Sequence, residues 1–271
     1  MLDVVPALLI AVALGAALWF FQRRLFGPAG SRPRAALRLT AVILVGLALV
    51  GYGAFRLSKA RGVQLAGELV THVDTDEKVV ALTFDDGPQP AYTQSVVDTL
   101  EAYDAKGTFF VIGNDAATPP DSLRALVSAG EEIGNHTWSH PRLLAISQGA
   151  IAQEIETTDA VIREAGYSGP IVVRPPNGKR LLAAPWYLWR HGRTTVMWSL
   201  EPDSIPGIAD DPDALVTYVR DNVRPGDIIL LHVMYESRSA SRAALPRILE
   251  ALAADGYRFV TVSQLLALRG R

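Results

Sequence analysis

From Lys78 to the end of the chain, short apolar runs alternate with longer amphipathic ones, and this alternation restricts the possible folds more than any other feature. The expected strands are Val79–Phe84, Gly107–Ile112, Glu132–His136, Ile171–Arg174, Thr195–Leu200, Asp227–His232 and Arg258–Val262. Helical patterns fall between them at Thr93–Tyr103, Pro120–Ala129, Gln148–Glu164, Asp213–Asn222 and Ala240–Ala254. Gly130, Gly166 and Gly256 stand where helix C-terminal caps belong. Strand and helix alternating in this way imply an α/β fold with a parallel sheet, and about seven repeats suit a closed barrel. An open doubly wound sheet is the rival. No Gly-rich phosphate loop follows the first strand, which speaks against a nucleotide cofactor.

The segment before this pattern is a different object. Val4 to Phe21 runs without a charge, and so does Leu39 to Phe55. Each is close to the roughly 20 residues that a spanning helix needs. The expectation is a membrane anchor over residues 1–62, with helices at about 4–21 and 39–57, followed by a catalytic domain over 63–271. The loop between the helices, 22–38, carries Arg23, Arg24, Arg32, Arg34 and Arg38, which places it in the cytoplasm by the positive-inside rule. Both ends of the hairpin then face outward. The chain is read as a multi-pass protein of the cytoplasmic membrane, in contact with the lipid bilayer, with its body on the extracytoplasmic side. Arg56, Lys59 and Arg61 pull against that orientation. A cleaved signal peptide would begin with basic residues, whereas this chain begins Met1-Leu2-Asp3.

Charge divides the chain at the same place. Residues 1–62 hold eight of the 26 Lys/Arg and one of the 28 acids, leaving 18 basic and 27 acidic side chains in the body. That acidic balance gives nucleic acid no basic stripe to bind. With no cysteine present, any metal must sit on His, Asp or Glu.

In parallel barrels the active site gathers at the C-terminal ends of the strands. Five expected strands end in polar residues: Asp85-Asp86, His136, Arg174, Glu201 and His232. Adjacent carboxylates repel, so Asp85 and Asp86 are stable together where a positive charge separates their roles. Asp-Gly-Pro is also ordinary turn chemistry, and this segment alone leaves both readings open. His136 and His140, four apart, can face one ion and with one carboxylate leave open positions for water and substrate. In Arg174-Pro175-Pro176-Asn177-Gly178 the Arg can hold a carboxylate, and the Asn177 N–H can point at a developing oxyanion. A rigid surface loop is the alternative there. His232 closes a buried apolar strand, either as a satisfied core residue or as an acid over a dry pocket.

In this order, Thr83-Phe84-Asp85-Asp86-Gly87, His136-Thr137-Trp138-Ser139-His140, the Arg174–Gly178 segment and Leu230-Leu231-His232 resemble the motifs of the polysaccharide deacetylase family, carbohydrate esterase family 4, with its NodB-homology domain. The resemblance covers about Lys78 to the C-terminus. It implies a distorted (β/α) barrel of about seven strands and a divalent metal, Zn²⁺ first. It makes Asp85 the general base, oriented by Arg174, gives the metal to Asp86, His136 and His140, and makes His232 the general acid. Pro175, Pro176 and Asn177 would bind substrate, and Ile229 and Leu231 would line a pocket for the acetyl methyl group. Where the family places Asp-Trp to steady its catalytic His, this chain has Ser204-Ile205. Asp203, one residue earlier, is the candidate to orient His232. Val233 follows His232 where the family often has Asp.

The implied activity is removal of N-acetyl groups from an envelope or extracellular polysaccharide, with peptidoglycan N-acetylglucosamine first. A chitin-like or poly-N-acetylglucosamine polymer comes second, and deacylation of a lipid-linked sugar is the enzymatic alternative. A glycan-binding protein that has lost turnover is the rival from another class.

Overall fold

A computed structural model describes residues 32–269. By their internal contacts the residues fall into two units that meet between Val63 and Gln64.

The first unit contributes helix α1, Arg32–Lys59. Its Thr40–Lys59 part has a mean hydropathy of 1.8, and apart from Ser58 none of it is buried. Those 20 residues rise about 30 Å, the thickness of a bilayer's hydrocarbon core. Ile43, Leu44, Leu47 and Val50 are all exposed. The helix begins seven residues before the expected start, so Arg32, Arg34 and Arg38 belong to it and not to a loop. Arg, Ala and Leu are good helix formers, and their charge alone does not end a helix. The expected first span, 4–21, lies outside the described residues, as does most of the loop after it.

The second unit is an α/β fold with parallel strands. Strand β1 is Leu69–Val70 and β2 is Val79–Asp85. Then come α2 (Thr93–Glu101), β3 (Thr108–Val111), α3 (Gly113–Ala117), α4 (Asp121–Ser128) and β4 (Glu132–Asn135). Next are α5 (Gln148–Glu164), α6 (Ala183–Arg190), β5 (Thr195–Val196) and α7 (Pro212–Asn222). The last four elements are β6 (Ile228–His232), α8 (Ser239–Ala254), β7 (Arg258–Val260) and α9 (Val262–Leu266). One sheet runs β4-β3-β2-β6, with β7 also on β2, and β1 pairs with β5. Every strand pair is parallel.

Strand β2 is buried along its whole length, which is why its sequence is a nearly unbroken apolar run. Its even-numbered side chains, Val80, Leu82 and Phe84, join a core shared with Leu100, Leu123, Ile162, Leu245 and Ile248 of the helices. Its odd-numbered side chains face the other way, where Val79 and Ala81 meet Phe110, Trp198 and Leu230. Thr83 and Asp85 continue this second face toward the strand's C-terminal end.

Two expected strands fall furthest short of their sequence patterns. Ile171–Arg174 lies between Pro170 and Pro175, neither of which can donate to a ladder, and only Val173 bridges, to Asn135 and Thr195. After β5 the chain changes partner, from Val70 through the Met197 N–H to Ile228 through the Ser199 N–H. The Val196 and Met197 carbonyls at this switch accept from the Arg174 guanidinium. Leu200 then bridges Ile229 of β6. Gly130, Gly166 and Gly256 each follow the C-cap of a helix with positive φ, a conformation glycine adopts without a Cβ penalty.

Candidate active site

Asp85 ends β2 and lies directly opposite His232, the last residue of β6. Next to them, β4 ends at Asn135, immediately before His136. The parallel register thus brings three chemically active strand ends to one side of the sheet.

The backbone then departs from regular geometry. Asp86, Thr137, His140 and Asn177 all have positive φ, between 55° and 73°. Non-glycine residues adopt this region at a cost, and such residues cluster where surrounding structure holds a functional arrangement. Here the holding contacts are visible. The Glu154 carboxylate of α5 accepts the Trp138 and Ser139 N–H groups, each at 2.8 Å, and the Ser139 hydroxyl at 2.7 Å. The Asn135 side chain accepts the Thr137 N–H and donates to the Ile155 carbonyl and to Asp159. From the other side, the Gly113 and Asn114 N–H groups donate to the Thr137 and Trp138 carbonyls. A Cβ on Gly113 would lie 2.6 Å from the Trp138 ring and 2.5 Å from the Thr158 hydroxyl, so this approach requires glycine. Glu154, Asn135 and Gly113 were not singled out in the sequence. Their roles depend on tertiary proximity, which no local motif announces.

The pinned loop brings His140 Nε2 to 3.4 Å from Asp86 Oδ1, while His136 Nε2 lies 3.7 Å from the same oxygen. One ligand atom from each of these three residues falls within 4.8 Å of the other two. The His136 Nδ1–H donates to the Arg174 carbonyl at 2.7 Å, which fixes the tautomer and leaves the Nε2 lone pair directed at Asp86. Burial and the neighbouring His136 push His140 below its ordinary pKa, toward the neutral form that coordinates metal. Asp86 Oδ1 is buried and, among the described residues, has no hydrogen-bond partner. A carboxylate oxygen stripped of water and of donors, and faced by two imidazole nitrogens, suits a divalent cation. The residues present therefore fit a metal.

Beside this triad, Arg174 is fully buried. It donates to Asp85 Oδ1 at 2.6 Å and to the Thr83 hydroxyl at 2.9 Å, and its guanidinium lies 3.9 Å from the Phe110 ring centroid. Asp85 Oδ2 remains 3.6 Å from His136 Nε2. Burial, the largest single influence on Asp85, opposes its charge. Arg174, with His136 and His232, outweighs that burial and holds the carboxyl below its ordinary pKa.

His232 has the converse environment. Its Nδ1 lies 3.2 Å from Asp203 Oδ2, and the same oxygen accepts the His232 N–H at 2.6 Å and the Ser241 hydroxyl at 3.2 Å. Burial is again the largest influence and favours the neutral ring. Asp203, joined by the charges of Asp85 and Asp86, overcomes it and raises the His232 pKa. Ser204, where the resembled motif carries its Asp, is exposed.

The remaining expected residues divide. Pro175 and Pro176 are buried, and Asn177 is exposed at the tip of a tight turn closed by Gly178 N–H to Pro175 O and Lys179 N–H to Pro176 O. The pocket assignment of Ile229 and Leu231 is corrected. Both pack into the core between sheet and helices, with Leu82 and Phe84. Side chains alternate along a strand, so Leu230, not its neighbours, shares the face of His232.

A profile of the family described as polysaccharide deacetylase matches residues 72–196. The chain is 38% identical over 201 residues to a peptidoglycan-N-acetylglucosamine deacetylase of Bacillus cereus, a match covering 74% of this chain and 93% of that one. It is 35% identical over 199 residues to a chitooligosaccharide deacetylase of Sinorhizobium fredii, covering 66% and 87% of the two chains. A crystal structure of a peptidoglycan N-acetylglucosamine deacetylase superposes with a TM-score of 0.68 at 29% identity, over 73% of this chain and 92% of that one.

Proposed function

This chain belongs to the polysaccharide deacetylase family, and from that premise we propose that it hydrolyses N-acetyl groups on the N-acetylglucosamine residues of peptidoglycan. The observation that carries the reading is one juxtaposition. The Asp86–His136–His140 cluster stands beside a carboxylate held ionised by Arg174 and an imidazole whose pKa Asp203 raises.

Asp86, His136 and His140 would hold a divalent metal, and two imidazoles with one carboxylate suit Zn²⁺ first. When bound, such an ion supplies Lewis acidity to the amide carbonyl and to the attacking water. Asp85 accepts the water's proton on the carboxylate that Arg174 orients. The Asn177 N–H, which takes no part in the bonds closing its turn, is the donor offered to the oxyanion. His232, with Nδ1 turned to Asp203, donates from Nε2 to the departing sugar nitrogen. The products are acetate and a free amine. Leu230, buried on the face of His232, takes the place of Ile229 and Leu231 beneath the acetyl methyl group.

The single-residue bridges through Val173 and Leu200 link β4 to β5 and β5 to β6. We read the strands with these bridges as a distorted barrel. The apolar part of α1 is read as a membrane span, with Arg32, Arg34 and Arg38 at its N-terminal end on the cytoplasmic side. That arrangement delivers residues 63–271 to the wall side of the membrane.

The test measures free-amine release by the full chain in nanodiscs, offered peptidoglycan, chitin oligomers or a lipid-linked N-acetylglucosamine. Release from peptidoglycan, abolished by chelation and restored by a divalent ion, supports the reading. Release from the lipid-linked sugar alone overturns the substrate. No release from any of them, with metal bound, makes the chain a binding protein.

A further inference from the structure

Helix α6 buries Ala184, Tyr187 and Leu188 against Leu143, Ile151 and Ile155. Its other face is unusual. Leu182, Trp186 and Trp189 are exposed by 62, 49 and 51%. Their spacing of four and then three residues puts them on one stripe. The two indoles lie 4.9 Å apart, centroid to centroid. Arg190 and His191, both exposed, follow Trp189 directly. Two adjacent exposed tryptophans are a large apolar commitment for a surface helix, and their amphipathic rings suit the boundary between lipid headgroups and acyl chains.

We propose that this stripe rests on the outer leaflet of the bilayer, an inference built on the membrane-span reading of α1. Gly67 packs on Trp189, because a Cβ added to Gly67 would lie 3.0 Å from the Trp189 Cβ. Gly67 lies only eight positions beyond Lys59, the end of α1, and eight extended residues reach at most about 28 Å. Trp189 is therefore confined close to the membrane surface whenever α1 spans it. Residues 171–200 contain five Arg or Lys and no acid, although the body as a whole is acidic. Arg174 and Arg193 are paired with Asp85 and Asp159, whereas exposed Arg190 faces outward beside the indoles and suits an anionic headgroup. Residues 64–68 lead into the N-terminal end of β1, whereas the candidate site lies at the C-terminal strand ends. Docking by Trp189 leaves that mouth turned away from the lipid and toward the wall.

The chain has no cysteine, so single cysteines carrying an environment-sensitive fluorophore report position cleanly. The full-length protein is reconstituted into phosphatidylcholine–phosphatidylglycerol vesicles as Leu182→Cys, Trp189→Cys, Glu250→Cys or Leu47→Cys. Each of the first two leaves Trp186 and one other stripe residue in place. The expected result is blue-shifted emission at 182 and 189, quenched by lipids brominated near the carbonyl, with Glu250→Cys in water and Leu47→Cys quenched by deep bromines. Unquenched probes at 182 and 189, with Leu47→Cys still deep, overturn the docking and leave the span intact. A Leu47→Cys probe in water overturns the span, and the docking falls with it. Probes at 182 and 189 shielded in detergent as well as in vesicles, at a concentration-dependent level, assign the stripe to a second copy of the chain. Trp186→Ser/Trp189→Ser is expected to keep its turnover on a soluble oligosaccharide. If it instead loses polymer turnover and the labelled probes report no lipid contact, the stripe is a glycan platform and the proposal fails.

Discussion

Asp203 holds His232 at two points, accepting the backbone N–H at 2.6 Å and facing the ring Nδ1 at 3.2 Å with the same carboxylate oxygen. The residue that steadies this imidazole therefore comes from one position before the expected Asp-Trp pair. The short turn Pro202–Ser204 points Asp203 inward and leaves Ser204 exposed.

That relationship predicts a pH effect. Asp203 is what lifts the His232 pKa against burial. Asp203→Asn removes the charge while keeping an acceptor, so the His232 pKa falls and the protonated acid is lost at lower pH. The basic limb of kcat against pH should move to lower pH, while the acidic limb, set by Asp85, stays in place. Ser204→Asp, on the exposed side of the turn, should move neither limb. His232→Ala should slow turnover by about 10²–10⁴-fold, the usual worth of a lost general acid. A basic limb unmoved by Asp203→Asn would detach that limb from His232.

The metal assignment separates ligands from base. His136→Ala or His140→Ala should lower bound metal, measured by elemental analysis of the purified chain. Asp85→Asn should retain metal and lose turnover, because the Asp85 carboxylate is engaged by Arg174 at 2.6 Å and Asp86 supplies the orphaned oxygen. Full metal content in both histidine variants would falsify the triad.

What the sequence made legible follows the range of the interactions involved. The long buried run of β2 and the helices ended by Gly130, Gly166 and Gly256 are local patterns, and they appear at the expected places. Asp85, His136, Arg174 and His232 could be singled out because each is a polar residue at the end of an expected strand. The split of Thr195–Leu200 was not legible. It arises because the Arg174 guanidinium occupies the Val196 and Met197 carbonyls, and those groups are more than twenty residues apart in sequence. The facing of Ile229 and Leu231 was readable in principle. Period-two alternation from His232 already puts Leu230 on the site face, and the structure bears out that rule.

A second pH prediction concerns stability away from the site. Glu131 is almost fully buried, and its carboxylate accepts the Gly107 N–H at 2.6 Å. Burial, only partly offset by that bond and by Lys106, raises its pKa from 4.5 to about 6. A carboxyl raised on folding contributes stability below its unfolded pKa and loses it as pH rises through the folded value. The rise of about 1.5 units is worth about 2 kcal/mol. Glu131→Gln, neutral at every pH and still able to accept from Gly107, escapes this loss. Thermal melts of the detergent-solubilised chain should show the variant gaining on the wild type between pH 4.5 and about 6 and holding the gain above that. Parallel Tm curves across that range would show that Glu131 is not the group responsible.

The last prediction concerns Glu154, whose carboxylate is hydrogen-bonded to Trp138 and Ser139 and to none of the three candidate metal ligands. Its carboxylate accepts the N–H groups of Trp138 and Ser139 and the Ser139 hydroxyl, and so fixes the loop on which His140 sits at a φ of 58°. A left-handed His is held only by its surroundings, and Glu154 provides three of the bonds that hold it. Glu154→Ala leaves the Trp138 and Ser139 N–H groups to water and lets the loop relax toward ordinary φ values, drawing His140 away from Asp86. Positioning residues of this kind are typically worth about 10–100-fold in metal affinity. Competition with a fluorescent chelator should therefore show weaker metal binding by Glu154→Ala, with turnover largely recovered at saturating metal. Glu154→Gln keeps an acceptor oxygen for the same N–H groups and should recover most of the affinity. A merely structural role would lower the melting temperature of Glu154→Ala without changing metal affinity in the fraction that remains folded. Equal affinity in wild type and Glu154→Ala would show that Gly113, Asn114 and Asn135 suffice to hold the histidine loop.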